Sequence, residues 1–341
     1  MRVAILGFAH GHVGSYARQW REHPDLGVEL VAGWDHDKER AAKAAKDHEV
    51  EICASPADAI AKCDAVVIGV ETSMHADMVE AAAAAGRKIV LQKPMATTLA
   101  DAARIVAAVG KYGVPFTMAW QMRVDPQNLK IKELLEGGAF GKVFMVRRRH
   151  GLSTNKWAGF ENTWHASAEY NRDIWADDAS HPVDFIYWLF GKPASVTAEL
   201  ASLHNPKVPN DNGVALYRYA DGMIAEVSCS FVCSAHESTT EVVCENGTII
   251  QNYGDGVSAN VKRPEGGVGL KHFLNTDNAW KTVDVPDGWR QGDRIANLSG
   301  PIAEFLHGAR PPIATVEEGR DALAMVLACY ESSENGKRVA L

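Results

Sequence analysis

Over the first 120 residues, short apolar runs alternate with amphipathic helical patterns. Val3 to Leu6, Glu29 to Trp34, Ala65 to Val70, Lys88 to Gln92 and Pro115 to Trp120 predict strands, and most are nearly continuous in apolar residues. Val13 to Arg21, Asp37 to Asp47, Met74 to Ala85 and Leu99 to Val109 predict helices whose alanine-rich faces suit close packing on a sheet. Strands buried on both faces lose the polar alternation of a half-solvated sheet. The pattern therefore predicts right-handed βαβ crossovers and a parallel sheet covered on both sides.

After Pro126 the pattern changes. A helix is expected over Gln127 to Glu136, closed by Gly137 and Gly138, then a strand over Val143 to His150. A stretch rich in Trp, Asn and His runs to Tyr170, and a helix is expected over Asp178 to Phe190. Strands over Ser195 to Leu203, Val214 to Tyr219, Met223 to Val232, Thr239 to Glu245 and Thr248 to Tyr253 follow in direct succession. Asp221-Gly222 and Asn246-Gly247 supply hairpin turns, so these strands predict an antiparallel sheet. Helices over Asp293 to His307 and Val316 to Ser333 finish the chain. No repeat or low-complexity linker interrupts it, which predicts two domains sharing a broad contact and a cleft.

Composition narrows the function classes. A length of 341 residues exceeds one small core. A net charge of −8 argues against nucleic acid or an anionic membrane as partner. The one basic run, Arg147-Arg148-Arg149, lies in a strand, where alternation sends Arg148 to the opposite face. There is no apolar run of bilayer length and no cleavage-site pattern after the first strand, so a cytoplasmic protein is expected. The six cysteines form no CxxC pair, and Cys229 and Cys233 would lie roughly 13 Å apart along a strand, too far for a disulfide. Free, mostly buried thiols in a reducing compartment follow.

The segment VAILGFAHGHVGSY, residues 3–16, follows a strand and opens a helix. A dinucleotide turn needs a glycine to reverse the chain and small residues where the pyrophosphate and helix approach; here Gly7, Ala9 and His12 take these places. The second strand ends in Asp35, a carboxylate able to accept both adenosine ribose hydroxyls and to repel a 2′-phosphate. NAD is therefore expected over NADP, although His36 next door can lend some positive charge. His10 and His12 can donate to the pyrophosphate. No Tyr is followed by Lys four positions on, which sets aside the short-chain dehydrogenases.

Three further residues have the types that alcohol oxidation needs. LQKPMATT places Lys93 at the carboxyl end of a parallel strand, and WADDASHPVDFIYWLFG places Asp177 and His181 four residues apart at a helix start. An imidazole can take a hydroxyl proton, a carboxylate can orient it, and a lysine can stabilise the developing alkoxide. Asp177 or Asp178 can also serve simply as a helix cap, and His181 as core. No HExxH or similar ligand spacing occurs, so no metal is expected.

These stretches, with DAVVIGVETSMH (64–75), Arg123 to Pro126, DDASHPVD (177–184) and the closing VEEGRDALAMVLACYESSENGKRVAL, together resemble the Gfo/Idh/MocA family over nearly the whole length. The resemblance implies an α/β Rossmann domain at 1–122 and an α+β domain at 123–341 with a large, mainly antiparallel open sheet. It implies Lys93, Asp177 and His181 as catalytic groups, with Asp184 supporting the helix. The cofactor set it implies is Gly7, Phe8, Ala9, His10, His12, Val13, Asp35, His36, Val70, Glu71, Thr72, His75, Gln92, Lys93 and Gln121. Gln92 replaces the usual Glu, Val70-Glu71-Thr72 replace Thr-Pro-Asn, and Asn171-Arg172-Asp173 replace a glycine triplet, so the resemblance alone does not fix which of the family's substrates is used.

Residues 155–175 carry aromatic, Asn, His and Arg side chains of the kind that stack on and hydrogen-bond sugars. Trp164, His165 and Tyr170 are the expected contacts to a carbohydrate or cyclitol, with Trp120 and Asp178 beside them. Arg123, Arg149 and Arg172 suit an anionic group on it. The same loop can equally pack its own aromatics as a lid or a subunit contact. The expected activity is oxidation of a secondary hydroxyl of a sugar, sugar derivative or inositol by hydride transfer to NAD. Two alternatives remain at this point: an NAD-dependent glycosidase using Tyr170 or His165 as an extra acid or base, and a non-catalytic nucleotide-binding regulator. The resemblance also implies a homodimer or homotetramer.

Overall fold

The computed structural model describes residues 1–234, 238–252, 268–285 and 291–341. Tyr253, the end of an expected strand, lies outside them. The chain divides into two compact units: Met1–Gln121 with Ser167–Arg172 and Ile295–Leu323, and Met122–Ala166 with Asp173–Arg294 and Ala324–Leu341.

The first unit contains a five-stranded parallel sheet of β1 (Arg2–Leu6), β2 (Glu29–Trp34), β3 (Ala65–Ile68), β4 (Lys88–Leu91) and β5 (Phe116–Met118), in the order β2-β1-β3-β4-β5. Every residue of β3 is fully buried, as expected of a strand covered on both faces. The connecting helices are α1 (His12–Glu22), α2 (Lys38–His48), α3 (Pro56–Ala61), α4 (His75–Ala84) and α5 (Leu99–Tyr112). Side chains start several of them. Asp37 accepts from the amides of Glu39 and Arg40 to cap α2, and Thr98 accepts from Asp101 to cap α5. Gly113, in the left-handed conformation, ends α5. The short α3, capped by Ser55 with Pro56 in its first turn, escapes a periodicity reading because it is barely longer than one turn.

The second unit holds α6 (Pro126–Glu136), β6 (Val143–Gly151) and α7 (Ser180–Phe190), then β7 (Ser195–Ala201), β8 (Asn212–Arg218), β9 (Ile224–Ser230), β10 (Thr239–Cys244), β11 (Gly247–Asn252), β12 (Leu270–Leu274) and β13 (Ala279–Thr282). With β14 (Val339–Ala340) these strands form one sheet in the order β13-β12-β11-β10-β6-β9-β8-β7-β14. All its pairings are antiparallel except β6 with β9, because β6 arrives from outside the run of hairpins and inserts between β10 and β9. One face is buried. Val146, Val196, Ala198, Ala215, Tyr217, Ala225, Val227 and Val242 form a core with Val183, Phe185 and Ile186 of α7.

Three expectations are corrected. The helix expected from Asp178 begins earlier, as a π-helical turn over Trp175–Ala179 that continues into α7. The helix expected over Asp293 to His307 is two, α8 (Gln291–Asn297) and α9 (Ser299–His307), because Pro301 has no N–H to return to the Asn297 carbonyl. The expected strands end before β12 to β14, which also join the sheet. A last helix, α10 (Val316–Asn335), precedes β14. All six cysteines are free.

Candidate active site

The nucleotide turn is built by a backbone that only glycine tolerates. Gly7 has φ +86°, and its N–H donates to the Trp34 carbonyl at 2.7 Å. A Cβ added there would lie 2.5 Å from both N and Cα of Val70. The strand end at Gly7 and the loop after β3 are thus in direct contact, which leaves the backbone bare where a pyrophosphate would approach the start of α1. His10 donates its N–H to the Gly69 carbonyl, and its ring meets that of His12, the first residue of α1, edge-on at 4.2 Å. The turn fits a dinucleotide.

Asp35 is placed as expected, yet its carboxylate is already engaged. Oδ2 accepts from the Phe8 amide at 2.7 Å and from Arg40 Nε at 2.7 Å. Oδ1 accepts from the Asp37 amide at 2.9 Å and from Arg40 Nη2 at 2.8 Å. Arg40 also reaches Glu71 Oε1 at 2.9 Å, and His36 Nε2 lies 2.8 Å from Glu71 Oε2. Arg40 carried no expected role; its position in the first turn of α2, just after Asp35, was the available signal.

Other expected cofactor residues surround the same loops. Thr72 donates from its hydroxyl to Asn171 Oδ1 at 2.6 Å, and the Ser73 amide donates to the Tyr170 carbonyl, so residues 167–172 fold onto this unit. Arg172 is a non-glycine residue at φ +71° there. Gln92 is fully buried and donates to the Tyr16 hydroxyl at 3.0 Å. Lys93, Trp120 and Gln121 are buried at the ends of β4 and β5, and Val13 is buried in α1.

His75 is a structural strut. Its Nδ1 lies 3.1 Å from the Met95 carbonyl and Nε2 3.2 Å from the Val70 carbonyl, with no exposed surface. Burial pushes its pKa down from the ordinary 6.5 to about 4, outweighing the carbonyls that favour the charged ring. Only the unfolded chain binds this proton between pH 6.5 and about 4. Stability is therefore fully present above that window and is lost as pH falls through it, by roughly 3 kcal/mol. Urea denaturation at pH 7 and pH 4.5 should show a smaller loss for His75→Gln than for the unmodified chain; equal losses would remove the assignment.

In the second unit the chemistry gathers where the π-helical turn meets α7 and the end of β6. His181 and His150 have no exposed surface, and their rings stand 5.8 Å apart. Asp178 lies between them, with Oδ2 3.0 Å from His150 Nε2 and Oδ1 3.5 Å from His181 Nε2. Burial lowers the His150 pKa, and Asp178 opposes that shift. Helical spacing expected Asp177 beside His181; Asp178 is a described carboxylate there. The wider π turn rotates the face, and Asp177 Oδ2 meets His165 Nδ1 at 2.6 Å. His150 carried no expected role. Alternation along β6 was the signal, since it shares the inner face with the buried Arg148.

Two expected substrate contacts, Arg123 and His165, have other described partners, and a third, Arg149, faces outward. The Arg123 guanidinium donates from Nε and Nη2 to the two oxygens of Asp184 at 3.0 and 2.7 Å, both residues buried, which anchors α7. Arg149 is exposed on the outer face of the sheet, opposite His150, because successive strand residues alternate. His165 stacks on Trp164 at 3.9 Å and parallels Phe160 at 6.1 Å. Trp164, His165, Tyr170 and Arg172 are all partly exposed. Among the described residues, no helix is long and apolar enough to cross a membrane, and no group of three or more His, Cys, Asp or Glu is placed to hold a metal.

Comparison with known proteins decides the family. Residues 1–120 match the oxidoreductase family's NAD-binding Rossmann fold, and residues 128–250 match the GFO/IDH/MocA C-terminal domain. The chain belongs to the Gfo/Idh/MocA oxidoreductase family. D-Apiose dehydrogenase of Paraburkholderia graminis is 29% identical over 99% of this chain and 89% of its own length. Inositol 2-dehydrogenase of Acidothermus cellulolyticus is 29% identical over 73% of this chain and 72% of its own. The WlbA dehydrogenase of Bordetella pertussis, solved with NADH and UDP-GlcNAcA, superposes with a TM-score of 0.81 at 25% identity, covering 100% of this chain and 97% of that one. The protein is thus an NAD-binding oxidoreductase of the sugar and inositol dehydrogenase family, with the two-part fold read from its sequence.

Proposed function

We propose that this Gfo/Idh/MocA protein oxidises a secondary hydroxyl of a sugar, sugar derivative or cyclitol. The observation that carries this reading is the buried His150–Asp178–His181 array, a proton acceptor with a carboxylate set against it. Bound NAD supplies the acceptor for the hydride. His181 takes the hydroxyl proton, and Asp178 stabilises the imidazolium that results. The Lys93 ammonium stabilises the alkoxide as it forms. Asp177 holds His165, whose stack with Trp164 offers a flat apolar surface to the C–H face of a ring. Tyr170, Arg172 and Trp120 complete the proposed substrate set.

A panel of aldoses, uronates, inositols and nitrophenyl glycosides, followed by NADH absorbance and nitrophenol release, tests the reading. Net NADH accumulation with at least one member is expected. Release of an aglycone without net NADH would instead indicate transient ring oxidation, and silence across the panel with NAD bound would indicate a regulator. The dehydrogenase relatives named above support net oxidation.

We also propose a homodimer or homotetramer formed through the outer sheet face, where Met145, Val214 and Leu216 are 38%, 41% and 45% exposed. Light scattering that returned the mass of one chain would exclude it.

A further inference from the structure

We propose that Glu71 favours NAD over NADP by retaining Arg40 when a ribose displaces it from Asp35, an inference that rests on the dinucleotide reading of the Gly7 turn. In folds of this kind a carboxylate at the end of the second strand accepts the adenosine ribose hydroxyls, whereas a nearby arginine accommodates a 2′-phosphate. This chain has both groups, and they are bound to each other.

A carboxylate offers about four lone-pair sites. Asp35 has four donors, two from Arg40 and one each from the Phe8 and Asp37 amides, and its side chain has no exposed surface. A ribose hydroxyl can therefore reach Asp35 only if one of these donors yields. The two amides belong to the backbone. The Arg40 side chain, 22% exposed, is the donor free to swing.

Once released, the guanidinium is the natural partner of a 2′-phosphate, and Glu71 governs where it goes. The Glu71 side chain is 4% exposed; one oxygen lies 2.9 Å from Arg40 Nη2 and the other 2.8 Å from His36 Nε2. When Arg40 leaves Asp35, Glu71 retains it. Asp35 and Glu71 against Arg40 also leave one net negative charge beside the ribose when His36 is neutral, which repels a phosphate dianion. Glu71 stands in one of the positions where the sequence departs from the family pattern, so this selectivity belongs to the chain's own loop after β3.

The test is direct binding, read by quenching of tryptophan fluorescence, with NADH and NADPH titrated into the unmodified protein, Glu71→Gln and Arg40→Gln. The unmodified protein should favour NADH. Glu71→Gln, which keeps the shape and removes the charge, should raise NADPH affinity relative to NADH by about tenfold or more, an effect that shrinks at high salt. Arg40→Gln should move the ratio the opposite way, because it leaves two carboxylates unopposed. A merely structural role would weaken both dinucleotides alike in both variants. An unmoved ratio in Glu71→Gln, or shifts of the same sign in the two variants, overturns the proposal while leaving the turn as an NAD site. Failure of the unmodified protein to bind either dinucleotide overturns the dinucleotide reading itself.

Discussion

His181→Ala is expected to lower kcat for the oxidised polyol by about 10²- to 10⁴-fold, the usual contribution of a positioned general base. The affinity for NAD should change little, because the dinucleotide turn is built from Gly7 and its neighbours at the start of α1. Asp178→Asn separates positioning from bulk. It keeps the shape between His150 and His181 but removes the charge that stabilises the imidazolium, so kcat should fall and the acidic limb of the pH profile should shift toward lower pH, because the unpaired imidazolium gives up its proton more readily. Lys93→Ala should also depress kcat severely, by loss of alkoxide stabilisation. Stopped-flow kinetics beside a binding titration checks all three. Unchanged kcat in His181→Ala would end the assignment of the proton acceptor.

The second large effect is expected at Gly7. A Cβ there would sit 2.3 Å from Val70 Cγ1 and 2.5 Å from two backbone atoms, and the residue lies at φ +86°. Backbone atoms of the fully buried Val70, in the loop after β3, cannot give way as a flexible side chain could. Gly7→Ala should therefore cost about 2 to 4 kcal/mol of stability. It should also abolish measurable NAD binding, since relief of the clash must push apart the two loops that form the cradle. Thermal unfolding with and without NAD provides the check: the variant should melt lower and show no upward shift with the dinucleotide. A variant with the unmodified melting temperature and a normal NAD shift would show that the turn does not approach Val70 as described.

How legible these features were depends on the physics behind each. The five parallel strands were readable because burial on both faces leaves an uninterrupted apolar run, as in Ala65–Ile68. Strand β13 was not, because an edge strand carries little apolar signal; all four residues of Ala279–Thr282 are exposed, Trp280 by 50%. The proposed proton-transfer residues Asp177, Asp178 and His181 could be named from sequence, but the pairing of Asp178 with His150 and of Asp177 with His165 could not. Those pairings depend on a π-helical turn, and helical periodicity assumes the ordinary 3.6-residue spacing. Asp35 shows a similar limit. Its position at a strand end made it the expected ribose contact, whereas its occupancy by Arg40 is a side-chain pairing that spacing alone does not fix. Arg149 and Arg123 were read as available charges. Strand alternation turns the first outward, and a buried carboxylate engages the second.

The most direct test of the central claim is isotope transfer. The protein would be incubated with NAD and a polyol carrying deuterium on the carbinol carbon, and the dinucleotide then recovered for mass analysis. Oxidation at a secondary hydroxyl predicts one deuterium in the reduced dinucleotide and a ketone at the labelled carbon. Recovery of only unlabelled, oxidised dinucleotide with every polyol that binds would contradict it.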